Sequence, residues 1–170
     1  DGNELPASYA DGKSIMYDIR GGNSTINLSS NMSPSRLYLM NPKGSNYSFG
    51  GNGKFSGNMD LIKSLQGTVY FNNQNDFTGK TRISEGKLVV SGIYASPVQL
   101  DARGIIAGNA TLLGGIILEK GLNREGARIE PGPENTTGTM TITGNLTLTG
   151  RNNLAFKCDQ IGRASCRERV

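Results

Sequence analysis

Short runs in which apolar and polar residues alternate recur along most of the chain, and Gly, Asn, Asp, Ser or Pro separate them. Alternation with a period of two is typical of β-strands that bury one face. Gly and β-branched residues interrupt every stretch that could hold a helical period for three turns. The pattern therefore predicts an all-β chain, with strands at 14–19, 25–28, 36–40, 47–49, 68–71, 81–83, 87–90, 98–100, 104–106, 110–112, 116–118, 127–129, 139–143, 145–148 and 153–156.

The turns favour one all-β architecture, although the spacing of the strands also suits a sandwich or a barrel. Two-residue hairpin signals between matched strands are nearly absent, and single glycines separate very short strands, as at Gly104 and Gly108. We therefore predict a right-handed parallel β-helix, a β-solenoid in which each coil stacks only on its neighbours. At about 20 residues per coil, the first ~160 residues would make roughly eight coils.

Such a solenoid needs a thin apolar core and sharp bends between its faces. Each fully buried apolar side chain would contribute about 1.5–3 kcal/mol. We expect the bends at Gly79, Gly86, Gly132 and Gly144. The residues expected in the core are Phe77, Leu88, Ile105, Ile106, Leu112, Leu113, Ile116, Ile117, Leu118 and Leu146.

The composition excludes several classes of function. Glycine makes up 24 of 170 residues, and charged residues are 19%, a share too low for a disordered chain. The chain has no His, which excludes His-based acid–base catalysis, Ser-His-Asp triads and His metal sites. Its two Cys exclude a disulfide scaffold.

The last ten residues, 161–170, are a basic stretch without a strand pattern and resemble translated sequencing adapter. We exclude them from the fold as a processing artefact; the alternative is a native basic tail. Without them the net charge falls from +4 to +2, and Lys and Arg are scattered singly, as at Lys54, Lys63 and Arg103. We therefore expect no nucleic-acid partner. Cys158 then remains alone, and we expect an ordinary buried thiol.

Three motifs that resemble ligand-binding loops lack a required residue. Residues 78–81, Thr-Gly-Lys-Thr, resemble the end of a phosphate-binding loop, but Gln74 stands where the first Gly is required. Residues 50–53, Gly-Gly-Asn-Gly, resemble the start of a calcium-binding nonapeptide, but this repeat needs Asp at the position of Phe55. Phe77 replaces the Gly of a helical-hand calcium loop over 72–76. We predict no catalytic, cofactor-binding or metal site.

The carboxylates do not form the clusters that β-helical glycosidases and lyases use. Alternating charges at Asp101 and Arg103, and at Arg128 and Glu130, instead predict surface ion pairs that contribute at most about 1 kcal/mol. The carboxylates stand mostly alone near predicted turns, at Asp60, Asp76, Glu85, Asp101, Glu119, Glu125, Glu130 and Glu134.

Two blocks resemble a known family. The first spans Leu65–Val90 and contains, in order, Gly67-Thr68, Asn75, Phe77-Thr78-Gly79, Thr81, Gly86 and Leu88. With these residues it resembles the autotransporter-associated β-strand repeat. The second begins with Glu130-Pro131-Gly132 and continues as Gly-Thr, strand, Gly-Asn, strand over 138–148. It is similar to the block that commonly follows such repeats, and the resemblance covers about residues 67–156.

The resemblance implies a surface-exposed or secreted bacterial passenger. In that family an N-terminal signal leads a β-helical rod, and a C-terminal barrel anchors the rod in the outer membrane. We expect this sequence to be a fragment that lacks both ends. Residues 65–160 would be the passenger repeat region. Residues 1–64 would be either earlier coils or the link to an upstream domain such as a subtilisin-like protease.

Three functions stay open at this point. The first is a non-catalytic stalk segment that presents an upstream adhesin or protease domain and aids its export, with the outer-membrane barrel of the same chain as its partner. The second is an adhesin whose exposed Tyr, Asn and Lys bind a host ligand or glycan directly. The third is a β-helical polysaccharide-degrading enzyme. We expect the first, because the sequence has neither a carboxylate cluster nor an aromatic sugar platform.

Overall fold

The computed structural model describes residues 10–18, 22–119, 126–132 and 137–149. Within these ranges every regular element is a strand, and none is a helix that could cross a membrane. The prediction of an all-β chain is confirmed. The strands are β1 (Ser14–Tyr17), β2 (Ser24–Asn27), β3 (Arg36–Met40), β4 (Asn46–Gly50), β5 (Asp60–Ser64), β6 (Thr68–Phe71), β7 (Thr81–Val90), β8 (Gly92–Tyr94), β9 (Val98–Gly108), β10 (Ala110–Leu112), β11 (Ile116–Leu118), β12 (Arg128–Pro131), β13 (Met140–Ile142) and β14 (Leu146–Leu148).

The strands stack in parallel on three faces. Face 1 consists of β1, β3, β5, the first part of β7, the first part of β9, β11 and β14. Face 2 consists of β2, β4, β6, the remaining parts of β7 and β9, and β12. Face 3 consists of β8, β10 and β13. Each strand pairs with its equivalent one coil away, so the described residues form a parallel β-solenoid, as predicted. They make about five turns.

The coils are unequal in length, and the expectation of eight coils is wrong. On face 1, one residue of each coil is in register with its equivalent in the next coil. The number of residues between these equivalents is the coil length, and it varies along the chain. Several coils are longer than the length of about 20 residues that the sequence suggested, above all the one that ends at β14. The successive residues at this position are Ile15, Leu37, Leu61, Thr81, Val98, Ile116 and Leu146.

The corner between faces 1 and 2 shortens along the chain. Residues 41–45 join β3 to β4, and residues 65–67 join β5 to β6. In contrast, β7 and β9 pass through the corner as single bent strands, so the strands predicted at 81–83 and 87–90, and at 98–100 and 104–106, are joined. Strands β5 and β8 were not predicted. In β5, Lys63 interrupts the apolar alternation and hides the strand pattern.

The core lies inside the three faces and agrees with most of the predicted core residues. Six of them are at most 1% exposed: Phe77, Leu88, Ile106, Leu112, Ile116 and Leu118. The core prediction is wrong for Leu113 and Ile117, which are 47% and 42% exposed. Strand alternation points Ile117 outward between Ile116 and Leu118, and Leu113 lies in the bend after β10. Ile105 is only half-buried. Leu146 is 43% exposed, since no strand of the described ranges covers the outer side of β14.

The expected glycine bends have two different origins. Gly86 and Gly132 have φ of +79° and +93°, which L side chains rarely adopt, so both are bends as predicted. Gly79 also lies at a bend as predicted, and it allows close packing of two coils, because a Cβ there would lie 2.2 Å from the Met59 carbonyl oxygen. Gly144 likewise lies at a bend and packs against the backbone of Gly115. The predicted strand 153–156, Cys158 and the tail 161–170 lie outside the described residues.

Candidate functional site

The outer surface carries ion pairs that join one coil to the next. Arg82 Nε lies 2.8 Å from Asp101 Oδ2, and Arg103 Nη1 lies 3.4 Å from Glu85 Oε1. Asp101 and Arg103 thus each have a partner in the preceding coil, and a contact between the two stays a prediction. The expected pair of Arg128 and Glu130 is confirmed at 3.7 Å. Further pairs between successive coils are Arg36–Asp60 and Lys54–Asp76, whereas Lys87–Glu130 reaches across the intervening strand β9.

The carboxylates are thus used as contacts between coils. Each described carboxylate that the sequence singled out has a cation or a hydroxyl as partner; for Glu119 the partner is Thr149 Oγ1, at 3.1 Å. Glu125 and Glu134 lie outside the described residues. In the ranges that the structure covers, no three Asp, Glu, Cys or His side chains come together in a way that could hold a metal ion. The arrangement stabilises coil stacking.

The segment that resembles a phosphate-binding loop is part of the coil framework. The Thr81 hydroxyl points inward, where it lies 2.7 Å from Tyr94 OH and 2.8 Å from Ser96 Oγ. The Lys80 backbone N–H donates to Asp60 Oδ1 of the preceding coil at 2.9 Å. Gly79 is buried against the backbone of Met59. The described contacts of this loop fix one coil on the preceding one.

The segment with possible calcium ligands, residues 72–76, is also occupied by contacts between coils. Asn75 is buried, and its Oδ1 accepts a hydrogen bond from the Phe55 N–H at 2.8 Å. Asn73 Nδ2 donates to the Gly53 carbonyl oxygen at 2.7 Å. Asp76 is paired with Lys54. The side-chain oxygens of Asn75 and Asp76 therefore serve the neighbouring coil.

Buried polar side chains satisfy the backbone at the corners. Asn41 is 0% exposed, and its Nδ2 donates to the carbonyl oxygens of Ser45 at 2.8 Å and Thr68 at 2.9 Å. At the corner between faces 3 and 1, Ser96 Oγ donates to the Gly79 carbonyl oxygen. Burial raises the pKa of the neighbouring Tyr94 well above its ordinary value, so that its hydroxyl stays neutral. These groups hold corners in place.

Sequence reasoning missed the most unusual of these groups, Lys63. Its side chain is 0% exposed, and burial lowers its pKa to about 8, although Glu85 opposes this effect. Its inward position follows from strand alternation once residues 60–64 are known to form a strand. Position 63 has the same phase as Leu61, which points inward, whereas Asp60 and Ile62 have the opposite phase.

The tyrosines proposed as ligand contacts divide between the interior and the surface. Tyr47 and Tyr94 point inward and are 2% exposed. Tyr38 points outward on face 1, in register with Met16 on one side and Ile62 on the other. Met16 is 60% exposed, while Tyr38 and Ile62 are partly exposed. These three residues form an apolar row on the outer surface, and we call it the face 1 row.

No family model, no curated protein and no solved structure matches this chain. The fold and the chemistry of the described surface therefore carry the functional proposal. That chemistry consists of carboxylates paired between coils, polar side chains that satisfy corner carbonyls, and the face 1 row.

Proposed function

We propose that this chain is a non-catalytic stalk segment of a bacterial autotransporter passenger. In this role it presents an upstream adhesin or protease domain at the cell surface and aids its export. Its partner is the outer-membrane barrel at the C-terminus of the same polypeptide. Its location is the bacterial surface, or the medium once the passenger is cleaved.

The observation that carries the proposal is where the repeat-like residues lie in the coils. Phe77 and Leu88 are 1% and 0% exposed. Asn75 bonds the backbone of the preceding coil, Gly79 packs against it, and Gly86 makes the bend in β7. The residues shared with the autotransporter repeat are thus those that fix one coil on another. A family pattern made of such residues is what a stacked stalk requires.

The pairing between coils supports a mechanical role. Every described coil is joined to the next by parallel backbone ladders, and ion pairs such as Arg82–Asp101 cross the same junctions. In a solenoid the stability is close to a sum of terms within and between neighbouring repeats. Each coil that folds outside the membrane adds a favourable free-energy term of this kind. The passage of that coil back through the membrane therefore becomes unfavourable. Sequential folding thereby draws the passenger outward.

Surface display of the full-length passenger tests the export role. Deletion of residues 138–148, which contain β13 and β14, removes one coil layer and should slow the appearance of the upstream domain at the surface. Accessibility to external protease in a pulse-chase experiment measures this rate. The variant Arg82→Ala removes only a surface ion pair and should keep the wild-type rate. Unchanged display after the deletion would refute the export role.

Sequencing the parent gene tests the family assignment separately. We expect the reading frame beyond Gln160 to continue into further coils and then into alternating strands of about ten residues, as in an outer-membrane barrel. We also expect it to replace residues 161–170. A stop codon directly after residue 170 would overturn the autotransporter assignment.

The face 1 row favours a second candidate function, direct binding of a host ligand or glycan. Apolar side chains that stand together on a solvent-facing sheet are typical of contact surfaces. If this candidate is correct, the purified chain binds matrix proteins or glycans saturably, and Tyr38→Ser weakens that binding. The matched variant Tyr70→Ser, on face 2, should leave binding unchanged. Absence of saturable binding to a panel of matrix proteins and glycans would reject this candidate.

A further inference from the structure

Lys63 places a charge in a row of apolar core positions. On face 1 it lies in register with Leu39 in one neighbouring coil and Ile83 in the other, and all three side chains are 0% exposed. Aliphatic residues therefore fill the same position in the two adjacent coils. Removing an ammonium from water is costly unless its donors are satisfied. The contacts of Lys63 show how this is achieved.

The ammonium donates three hydrogen bonds to main-chain carbonyl oxygens. Its Nζ lies 2.9 Å from Ser64 O, 2.6 Å from Leu65 O and 3.2 Å from Glu85 O. The first two carbonyls belong to the corner after β5, and the third belongs to the bend of β7 one coil further along. An ammonium has three N–H donors, and each has an acceptor here. The side chain thus joins two consecutive coils at one corner.

The backbone at this corner is arranged closely around the ammonium. Leu65 has φ +65° and Gly86 has φ +79°. A Cβ on Gly86 would lie 2.8 Å from Lys63 Nζ and 2.3 Å from the Leu65 carbonyl oxygen. The left-handed conformation of Leu65 is unfavourable for a non-glycine residue, so the surrounding contacts must maintain it. The contacts of Lys63 are among those that do so.

The charged groups nearby are held on the outer surface. The Glu85 carboxylate accepts from Gln66 Nε2 at 3.0 Å and lies 3.4 Å from Arg103 Nη1. Lys87, on the far side of the bend, is paired with Glu130. The groups bonded to the Lys63 ammonium are therefore dipoles, while Glu85 acts on it through space. Carbonyl dipoles compensate the lost hydration of a cation only in part.

We propose that residues 63–67 and 84–87 form a proton-controlled joint of the solenoid, which opens to water more readily when Lys63 is protonated. Opening lets the ammonium regain its hydration, whereas a neutral amine gains much less from water. The neutral amine has only two N–H donors for three carbonyls, which acts in the opposite direction. Hydration has the larger effect, because the ammonium lies in register between Leu39 and Ile83 and bonds only neutral carbonyl groups. The lowered pKa of Lys63, about 8, agrees with this direction. This inference does not depend on the stalk function.

Native-state hydrogen exchange tests the joint. The Gly67 N–H donates to Asn41 O at 2.9 Å, and the Lys87 N–H donates to Gly67 O at 3.2 Å, so both amides report opening of the corner. With a pKa of about 8 when closed and the ordinary 10.5 when hydrated, the opening constant should fall about tenfold from pH 7 to pH 9. The Leu113 amide, bonded to Tyr94 O, is the remote control and should show no such change after correction for intrinsic exchange.

The variant Lys63→Met keeps the side-chain length and removes the proton. It should abolish the change between pH 7 and pH 9 at Gly67 and Lys87. Lys54→Met, which removes an exposed surface lysine, should retain it. Retention of the change in Lys63→Met, or its absence in the wild type, would overturn the proposal.

If Lys63→Met does not fold, titration of the lysine side chains in the wild-type protein tests the proposal directly. Carbon-13 at Lys Cε, followed by NMR in the wild-type protein, should show one lysine that titrates near pH 8. Titration of every lysine above pH 10 would overturn the proposal.

Discussion

Two consecutive regions of the described chain differ in coil length and in core. Residues 14–80 form what we call the wide coils and residues 81–118 the narrow coils. A wide coil runs from Ile15 to its register partner Leu37, whereas a narrow coil runs only from Thr81 to Val98. Aromatic rings fill the wide coils, namely Tyr17, Tyr47, Phe49, Phe55 and Phe71, whereas aliphatic side chains such as Leu88, Leu100, Ile106 and Leu112 fill the narrow ones.

Within residues 14–118, the longer coils thus contain the larger core side chains. A longer coil encloses a wider interior, and a ring that buries about 150–250 Å² fills it without a void. The wide coils also make real turns at the corner of faces 1 and 2, where Asn41 and Lys63 satisfy turn carbonyls from inside. In the narrow coils the β7–β9 ladder continues past the bend, pairing Gly86 with Gly104. The additional residues at the wide corners have carbonyl oxygens that face the interior. Buried polar side chains are therefore needed to donate hydrogen bonds to them.

The largest expected effect is loss of a central ring in the wide coils. Phe49 is 0% exposed and contacts Tyr17, Phe55 and Phe71, with ring centroids 5.2 to 5.6 Å apart. Phe49→Ala should lower the free energy of unfolding by about 4 kcal/mol. Leu100→Ala, its counterpart in the narrow coils, should cost about 3 kcal/mol. Urea denaturation measures both, and an equal or larger loss in Leu100→Ala would contradict the role given to the rings.

One glycine substitution in each region should separate crowding between coils from backbone strain. A Cβ at Gly104 would lie 2.2 Å from the Ile83 carbonyl oxygen, so Gly104→Ala should cost about 2–3 kcal/mol. Gly44, in the wide corner, has open space and φ +83°, so Gly44→Ala should cost only about 1 kcal/mol of conformational strain. Thermal unfolding compares the two, and a larger loss in Gly44→Ala would show that crowding between coils is not limiting.

Alkaline titration should distinguish the buried tyrosines of the two regions. Burial raises the pKa of Tyr17, in the wide coils, from 10 to about 12. Between these values the unfolded chain loses its proton first, so stability falls as pH rises from 10 to 12. Its hydroxyl has no hydrogen-bond partner in the described ranges. Tyr17→Phe should therefore be as stable as the wild type at pH 7 and lose less stability above pH 10.

Tyr94→Phe is the counterpart in the narrow coils. The Tyr94 hydroxyl lies 2.7 Å from Thr81 Oγ1, so this substitution should cost about 1 kcal/mol at pH 7. Urea denaturation at pH 7 and at pH 11 measures both variants. A loss at pH 7 in Tyr17→Phe equal to that in Tyr94→Phe would mean that the Tyr17 hydroxyl is bonded after all.

The smallest expected effects come from the surface ion pairs. Arg82 is paired with Asp101, and its side chain is 57% exposed, so Arg82→Ala should cost at most about 0.5 kcal/mol. In the pair of Lys87 and Glu130 the side chains are 18% and 15% exposed, so Lys87→Ala should cost about 1 kcal/mol. Both losses should shrink in 1 M salt, the former almost to zero. Denaturation at two salt concentrations checks the order of these two losses. A loss in Arg82→Ala that exceeds the loss in Lys87→Ala would show that exposure does not control the energy of an ion pair.

Much of the fold could be predicted from the sequence, because its signals are local. Alternation with a period of two identified most strands, and glycines between short strands indicated a solenoid rather than hairpins. Phe77 and Leu88 were correctly placed in the core, and Gly86 and Gly132 at bends. Each of these features depends on a residue and its immediate neighbours in the chain. Strands β5 and β8 were not predicted, because Lys63 interrupts the alternation in β5 and β8 is only three residues long.

What only the tertiary structure decided depends on residues about one coil apart. The register between coils determines that Arg82 pairs with Asp101, that Lys63 lies between Leu39 and Ile83, and that the corner carbonyls meet its ammonium. A register shift of one residue would turn every such side chain to the other face. The sequence contains the strands but not the distance between equivalent ones, which is short between β7 and β9 and long between β11 and β14. The stacking free energy of neighbouring coils selects that distance, since it depends on contacts that exist only once both coils are folded.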